Sequence, residues 1–256
     1  MTAFKDYAQF YDLLYGDKDY RAEAAFVGRL LKRWAPAGTA LLEAGCGSGH
    51  HASYMAEAGY HLTGIDMSAD MVELARSRLA EAPANLAERV TFEQGDIRTF
   101  HLGRTFSAAM SLFHVVSYLS TDADLSAGFA NVRRHLDRGG TFVFDFWHAP
   151  AIIEEGPQRR EKVVESDEWH IHRLTEPVWE KDRDVVRVNF HITATDKTNG
   201  AVHRLHEEHV MRYFFPDTLS AALSNNGFTV VECGEWLSGA PVRDDIFGVY
   251  MAARAE

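Results

Sequence analysis

The segment at residues 40–49, ALLEAGCGSG, constrains the fold of this chain more than any other stretch. Its apolar start predicts a buried strand, and the glycines that follow predict a tight turn that opens a helix. Glycine has no Cβ atom and adopts positive φ readily, so such a turn lets a nucleotide-like ligand lie directly against the backbone. The segment therefore predicts an α/β fold with a ligand site at the end of its first strand.

The spacing of the glycines narrows the choice of ligand. A phosphate-binding loop needs Lys followed by Ser or Thr after its last glycine, but Gly49 is followed by His50 and His51. The dinucleotide fingerprint G-x-G-x-x-G needs its third glycine at the position of His50, which weakens a NAD site without excluding it. The pattern that remains is E-x-G-x-G-x-G, beginning at Glu43.

Composition argues against several other classes of protein. The net charge of −11 disfavours a nucleic-acid partner, because phosphate backbones are bound by clustered Lys and Arg. No apolar run approaches the roughly 18 residues of a membrane span, and the N-terminus has no signal-peptide pattern. Cys46 and Cys233 lie far apart, so no disulfide framework or zinc site is expected. We expect a cytoplasmic protein with a small-molecule substrate and neither nucleic-acid nor membrane partners, and we keep a homodimer open.

We call residues 45–49 the glycine turn. Between this turn and residue 147, strand and helix patterns alternate. This alternation predicts a doubly wound, mostly parallel, seven-stranded Rossmann-like sheet, which a C-terminal helix and strand hairpin would complete. We predict three parts: residues 1–150 as an N-terminal lid and ligand-binding core, 151–210 as an antiparallel β extension covering the active site, and 211–256 as the C-terminal helix and hairpin.

The extension is rich in histidine. Its β-prone runs alternate polar and apolar residues, and the TNG at 198–200 predicts a hairpin turn. The histidines are His170, His172, His191, His203, His206 and His209. Their spacings fit one face of a strand, and no Cys pair or HExxH helix accompanies them, so we expect no metal site. One or two of them remain candidates for the wall of a substrate pocket.

Several segments together resemble the class I S-adenosylmethionine (SAM) dependent methyltransferases. They are LLEAGCGSGHH, GIDMSADMVELAR, GDIRTF and LFHVVSYL. Within that class the chain is similar to the N,N-dimethyltransferases of nucleotide-linked deoxyaminosugars in desosamine and mycaminose biosynthesis, which also share YDLLYGDKDYRAEA and HVMRYFFPDTLSAALSNNGF. The resemblance covers essentially the whole chain and implies SAM as cofactor and S-adenosylhomocysteine as product. One departure is His114 and Val115, where those enzymes tend to have small residues.

The resemblance also implies a set of cofactor-binding residues. Glu43 or the backbone near Gly45 and Gly47 would hold the methionine part of SAM. Asp66, an acid about 20 residues beyond the glycines, is where a ribose diol would be held. Tyrosines near the N-terminus would form a lid, with Tyr15 next to the substrate. The full set is Tyr11, Tyr20, Glu43, Ala44, Gly45, Gly47, Asp66, Met67 at the adenine face, Asp96 and Ile97 at its edge, Leu112 and Phe113.

The predicted catalytic groups are His114, Tyr15 and Tyr118. Because SAM already carries a sulfonium leaving group, a methyltransferase mainly aligns its reactants. An amine acceptor must be neutral before attack, and an alcohol needs a general base. Imidazole titrates near working pH, so we predict His114 as the proton acceptor or orienting group, with Tyr15 and Tyr118 positioning the acceptor.

The leading hypothesis is therefore an enzyme, a SAM-dependent methyltransferase that acts on an amine or hydroxyl of a small polar metabolite. A nucleotide-linked sugar and a natural-product intermediate are both candidates for that metabolite. Two other functions stay open at this point. One is a non-catalytic SAM-binding module, and the other is a NAD-dependent oxidoreductase, which the histidine at position 50 disfavours.

Overall fold

The protein folds around two β-sheets of different size. The computed structural model describes residues 8–35 and 37–256. Residues 1–7, where the predicted lid begins, lie outside the described residues. The strands are β1 (Ala40–Ala44), β2 (His61–Asp66), β3 (Val90–Gln94), β4 (Phe106–Ser111), β5 (Leu136–Trp147), β6 (Arg160–Glu165), β7 (Trp169–Glu180), β8 (Val185–Asp196), β9 (Val202–Arg212), β10 (Phe228–Glu235) and β11 (Gly248–Ala255).

The larger sheet is mostly parallel and has seven strands, which confirms the predicted fold class. Its order is β10-β11-β5-β4-β1-β2-β3, with β1 to β5 parallel and β11 antiparallel to both of its neighbours. The chain first builds β1, β2 and β3 in one direction and then crosses back to place β4 on the other side of β1. Ligands of open α/β sheets bind at such a reversal, outside the carboxyl ends of the strands.

Helices cover both faces of this sheet. They are α1 (Ala8–Leu14), α2 (Tyr20–Trp34), α3 (His50–Glu57), α4 (Ala69–Glu81), α5 (Ala84–Ala87), α6 (Asp122–Arg134), α7 (Ala149–Glu155) and α8 (Pro216–Asn225). On one face α2, α3 and α4 share a core with Val143, and on the other α6 and α8 share a core with Phe142, Phe144 and Phe146. Successive residues of β5 thus enter opposite cores, as the two-residue period of a strand requires.

The smaller sheet is antiparallel, with the order β6-β7-β8-β9, and confirms the predicted antiparallel extension. Its buried face packs against α1, where Ile171 and Ile192 meet Phe10. On the exposed side, His172 Nε2 lies 3.1 Å from Glu161 Oε2. The boundaries of the three predicted parts stay a prediction.

Two further features bear on the expected partners. Among the described helices, none is both long enough and apolar enough to cross a membrane. Within residues 8–35 and 37–256, no three His, Cys, Asp or Glu side chains converge as a metal ion would require. Cys46 and Cys233 are both free thiols.

The packing of α6 generates a prediction about stability. Phe129 is fully buried, and its ring centroid lies 5.6 Å from that of Phe144 and 6.1 Å from that of Phe142. We expect Phe129→Ala to lower the free energy of unfolding by about 3–5 kcal/mol, because it leaves a cavity between α6 and β5. Phe215→Ala, at a site 44% exposed, is the control and should cost less than about 1 kcal/mol. Urea unfolding measures both, and equal losses would contradict this packing.

Candidate active site

A cavity of about 740 Å³ lies at the carboxyl ends of the parallel strands and extends to the smaller sheet. It is lined by all of the predicted site residues except Glu43 and Ala44, namely Tyr11, Tyr15, Tyr20, Gly45, Gly47, Asp66, Met67, Asp96, Ile97, Leu112, Phe113, His114 and Tyr118. Glu43 and Ala44 are buried in β1 beneath the glycine turn. Their contact with a ligand stays a prediction.

The two glycines of the turn that line the cavity differ in the space around them. Gly45 has φ +81°, and a Cβ atom there would lie 2.5 Å from Val115. Gly47 has φ +52° and lines the cavity, and a Cβ atom there would have no described atom within 4 Å outside its chain neighbours. The backbone N–H groups of Gly45 and Cys46 both donate to the carbonyl oxygen of Ile65, at 2.8 and 2.9 Å. The turn is thus tied to the end of β2.

Asp66 reinforces this link between β1 and β2. Its carboxylate accepts hydrogen bonds from the backbone N–H groups of Gly47 and Ser68, both at 2.9 Å. Burial raises the pKa of Asp66, and these two hydrogen bonds oppose that rise. Asp66 therefore fixes the glycine turn and is one of the residues that line the cavity.

A group of buried ionisable side chains lies below the turn. Glu23 Oε2 is 2.7 Å from His51 Nε2, and His51 Nδ1 is 3.6 Å from Glu43 Oε1. Both carboxyl oxygens of Glu43 lack a hydrogen-bond partner among the described residues. Burial, and then the nearby charge of Asp66, raises the pKa of Glu43 well above its ordinary value. A positive charge close to Glu43 would oppose this rise in its pKa.

The segment around α1 closes the cavity from above. Asp12 accepts a hydrogen bond from Ser48 Oγ at 3.0 Å, contacts His50 Nε2 at 3.1 Å and pairs with Arg78. Although burial acts in the opposite direction, these partners hold the pKa of Asp12 below its ordinary value. On its other side, α1 is held by Lys162 Nζ, which donates to the carbonyl oxygen of Leu14 at 2.7 Å. The predicted lid is thus anchored to the glycine turn and to the smaller sheet.

The lid tyrosines lie close to the end of β4. The Tyr15 ring packs edge-on against Phe113, with centroids 5.2 Å apart, and Tyr20 stacks on His50 at 4.3 Å. Arg173 of the smaller sheet donates to the Tyr15 hydroxyl at 3.1 Å. Aromatic side chains of the lid therefore line the cavity beside the turn.

Besides His50 and His51 at the glycine turn, the cavity is lined by His114 and His209, whose surroundings differ. His114 follows β4 and has φ +62°, and its Nδ1 lies 2.8 Å from Asp145 Oδ2. His209 Nδ1 lies 2.8 Å from the hydroxyl of Tyr118. Burial, helped by the charge of Arg173, lowers the pKa of His209 to about 4. His209 is therefore neutral at working pH.

Asp96 is less available than its sequence position indicates. Its carboxylate pairs with Arg98, at 3.0 and 3.1 Å to Nε, and Arg98 also pairs with Asp124 at 2.6 Å. The hydrogen bond from Arg98 is the main cause that lowers the pKa of Asp96. Asp96 and Ile97 still line the cavity beside Met67, which is 49% exposed.

Much of the remaining wall was not predicted residue by residue. The smaller sheet contributes alternate residues of β7 and of β8, together with residues of β9. Residues of α7 and the aromatic side chains of Trp147 and Phe247 lie on the same side of the cavity. These residues are Trp147, Ile152, Glu155, Arg160, Arg173, Thr175, Pro177, Val186, Val188, Phe190, Glu208, His209, Met211 and Phe247. The apolar alternation at 186, 188 and 190 is a sequence signal for one shared face. We call this part of the cavity the outer side, and the part at Gly45, Gly47 and Asp66 the turn side.

The chain is similar to known methyltransferases. A family model of the methyltransferase domain matches residues 41–140. The chain is 33% identical, over 244 residues, to the dTDP-3-amino-3,4,6-trideoxy-alpha-D-glucopyranose N,N-dimethyltransferase of Streptomyces venezuelae, covering 94% of this chain and 96% of that protein. The crystal structure of DesVI from Streptomyces venezuelae superposes with a TM-score of 0.80 at 31% identity, covering 98% and 99% of the two chains.

A second similar structure was solved with SAM bound. It is SAM-bound CalS10, an amino pentose methyltransferase from Micromonospora echinaspora involved in calicheamicin biosynthesis. It superposes with a TM-score of 0.75 at 25% identity, covering 100% of this chain and 99% of that one.

The glycine turn generates a binding prediction. We expect Gly47→Ala to weaken SAM binding at least about 10-fold, because its methyl group would occupy the cavity beside the turn, while backbone strain costs about 1–2 kcal/mol. Gly103→Ala is the matched control, since Gly103 also has φ near +60° and open space but does not line the cavity. Calorimetric titration with SAM measures both variants. Equal affinities for the two would contradict a ligand site at Gly47.

Proposed function

The chain belongs to the SAM-dependent methyltransferases, and from this membership we propose that it methylates the amino group of a nucleotide-linked aminosugar. It is thus an enzyme, and its cofactor is SAM rather than NAD. The observation that carries the proposed acceptor is the continuous cavity that joins the glycine turn to an outer side with an arginine on its rim. A relative with 33% identity over nearly the whole chain acts, by its name, on such a sugar.

The residues of the turn side fit the cofactor. Gly47 leaves open space at the cavity wall, and the buried carboxyl of Glu43 has no hydrogen-bond partner among the described residues. We assign the methionine part of SAM to the backbone at Gly45 and Gly47, with Glu43 beneath them to balance its ammonium group. We assign the ribose hydroxyls to Asp66, which lines the cavity at the end of β2.

The adenine end is assigned to the neighbouring strand ends. Exposed Met67 supports a contact with the face of the ring, and Ile97 supports a contact with its edge. Because the Asp96 carboxylate is already paired with Arg98, we assign the Asp96 contribution to its backbone. The same cavity is also lined by Tyr11, Tyr20, Leu112 and Phe113. We assign these four residues to the walls around the cofactor.

SAM supplies, when bound, a methyl group on a positively charged sulfur, and transfer breaks the carbon–sulfur bond, leaves its electron pair on sulfur and places a positive charge on the acceptor nitrogen. The residues of this chain hold the acceptor and take its proton. We propose His114 as the proton acceptor, since it lines the cavity at the junction of the turn side and the outer side. Tyr15 and Tyr118 would orient the acceptor, and the closed lid would exclude water.

The outer side suits an acceptor that carries negative charge. Arg160 lies on its rim and has no ion-pair partner among the described residues, whereas neighbouring Arg159 pairs with Glu161 at 3.1 Å. An unpaired guanidinium is a good partner for phosphate. Apolar neighbours such as Val186, Val188 and Met211 would pack on the sugar and base.

The remaining expectations about partners and location are part of this proposal. The net charge of −11 supports a protein without a nucleic-acid partner. Free thiols at Cys46 and Cys233 support a cytoplasmic location. A homodimer would use a surface outside the cavity, and light scattering of the purified protein would measure it.

The direct test of the function is mass spectrometry of dTDP-linked aminosugars after incubation with enzyme and SAM. The proposal predicts a product heavier by one or two methylene groups, with S-adenosylhomocysteine formed in equal amount. Methylation of the sugar hydroxyls with the amine unchanged, or no product from any aminosugar, would contradict it.

The role of His114 gives a kinetic prediction. We expect His114→Gln to lower kcat about 10²-fold while leaving SAM affinity unchanged, because glutamine cannot take up a proton. His61→Gln is the control, since His61 is exposed at the start of β2 and does not line the cavity. Steady-state rates measured from pH 6 to 9 test this role. Wild-type turnover in the His114→Gln variant would show that His114 is not the proton acceptor.

Arg160 gives a second kinetic prediction. We expect Arg160→Gln to raise the KM for a nucleotide-linked acceptor about 10-fold, because a charged hydrogen bond to phosphate is lost. Arg159→Gln is the matched control and should leave that KM unchanged. The proposed phosphate contact would be wrong if the two variants had the same KM.

A further inference from the structure

Asp145 lies directly behind His114 in the wall of the cavity. It is on β5, paired in register with Tyr250 of β11, and its side chain is 2% exposed. One carboxylate oxygen lies 2.8 Å from His114 Nδ1. The backbone N–H of His114 also donates to this carboxylate, at 3.1 and 3.2 Å to its two oxygens. Asp145 thus contacts both the backbone and the ring of the proposed base.

We infer that Asp145 is a positioning residue that fixes the tautomer of His114 and stabilises its protonated form during methyl transfer. This inference rests on the proposed role of His114 as proton acceptor. It adds a residue that the sequence analysis did not select, because Asp145 is part of the apolar run TFVFDFW. Only the pairing of β4 with β5 brings it to the end of β4.

The tautomer follows from the chemistry of the contact. A carboxylate oxygen only accepts hydrogen bonds, so the nitrogen that faces it carries a proton. With the proton on Nδ1, the neutral ring has its lone pair on Nε2, at the far edge from Asp145. Since Asp145 is buried and His114 lines the cavity, that lone pair is available to an acceptor. A histidine in the other tautomer could not take up a proton at Nε2.

The backbone of His114 is held in place beside Asp145. Phe113 and His114 both have left-handed φ values, +64° and +62°, which are costly for residues other than glycine. The two hydrogen bonds from the His114 backbone to Asp145 stabilise this conformation. The Asp145 oxygen is close to Nδ1 but not aligned with its N–H bond, so a small ring rotation completes the hydrogen bond. Such contacts commonly tighten when the reactants bind.

The proton balance favours this pair over His209, the histidine on the outer side of the cavity. Each methyl transfer to an amine leaves one excess proton on nitrogen, which goes to His114 Nε2 while Asp145 keeps its negative charge. The resulting imidazolium and carboxylate form a buried ion pair. Among the described residues, the ion pair of the His114 ring is with Asp145, and its aromatic neighbours are Phe113, Trp147 and Phe247.

The surroundings of His209 disfavour a positive charge. Its Nδ1 shares a hydrogen bond with the Tyr118 hydroxyl, and burial and the positively charged Arg173 both oppose its protonation. A second transfer to the same nitrogen needs a second deprotonation. The His114–Asp145 pair meets this need twice, provided that the cavity releases the first proton to solvent between turnovers.

Asp145→Asn tests the inference. The asparagine oxygen can still accept from the backbone N–H of His114, but its NH₂ group would face Nδ1 and favour the wrong tautomer. We expect kcat to fall between about 10-fold and 10²-fold, with unchanged SAM affinity and melting temperature. The acidic side of the plot of kcat against pH should shift. In the His114→Gln background, Asp145→Asn should lower kcat no further, because the two residues act as one unit.

The possible results separate the two proposals. If His114→Gln retains wild-type kcat, the proposed base is wrong. If His114→Gln is slow but Asp145→Asn is equally harmful with or without His114, Asp145 has only a structural role and the inference is overturned. If Asp145→Asn does not fold, ¹⁵N NMR of wild-type imidazoles decides, with the His114 signal identified by its loss in His114→Gln. A protonated Nδ1 supports the inference, and a neutral ring protonated on Nε2 overturns it.

Discussion

Three backbone N–H groups of the glycine turn, those of Gly45, Cys46 and Gly47, are bound by the last two residues of β2. These hydrogen bonds join the turn that follows β1 to the carboxyl end of the neighbouring parallel strand β2. The turn needs positive φ at Gly45, where Val115 leaves no room for a side chain. The positions of α3, of Asp66 and of the segment after β4 all depend on it. The proposed methyl-donor site therefore depends on how β1 and β2 end more than on any one side chain.

Buried acids at the carboxyl ends of the strands set the electrostatics of the cavity. Glu43, Asp66 and Asp145 lie at or near the ends of β1, β2 and β5, and they differ in the partners of their carboxyl groups. Asp66 has backbone donors, Asp145 has His114, and Glu43 has no hydrogen-bond partner among the described residues. A buried carboxylate is costly unless it is paired. A cofactor that carries positive charge would thus be better matched to these acids than a dinucleotide with its pyrophosphate.

Local patterns in the sequence predict the turn and its ligand class because they depend on neighbours along the chain. The glycine spacing, Asp66 about 20 residues later and the alternation of strands and helices are all local signals. Asp145 could not be found this way, since a single acid within TFVFDFW signals a buried strand until β4 is placed beside it. The position of Arg160 on the cavity rim and the burial of Glu43 likewise depend on tertiary packing. For the smaller sheet, alternation predicts two faces but not which face meets the cavity, because its placement depends on α1 and α7.

We propose that an acceptor amine meets His114 where the glycine turn joins the outer side of the cavity. A crystal structure of the enzyme with S-adenosylhomocysteine and a nucleotide-linked aminosugar would measure this contact. We expect the amine nitrogen about 2.6–3.2 Å from His114 Nε2. We also expect the sulfur of the product next to the turn and the phosphates near Arg160. An amine bound beside Tyr118 and His209, with His114 turned away from it, would contradict the proposal.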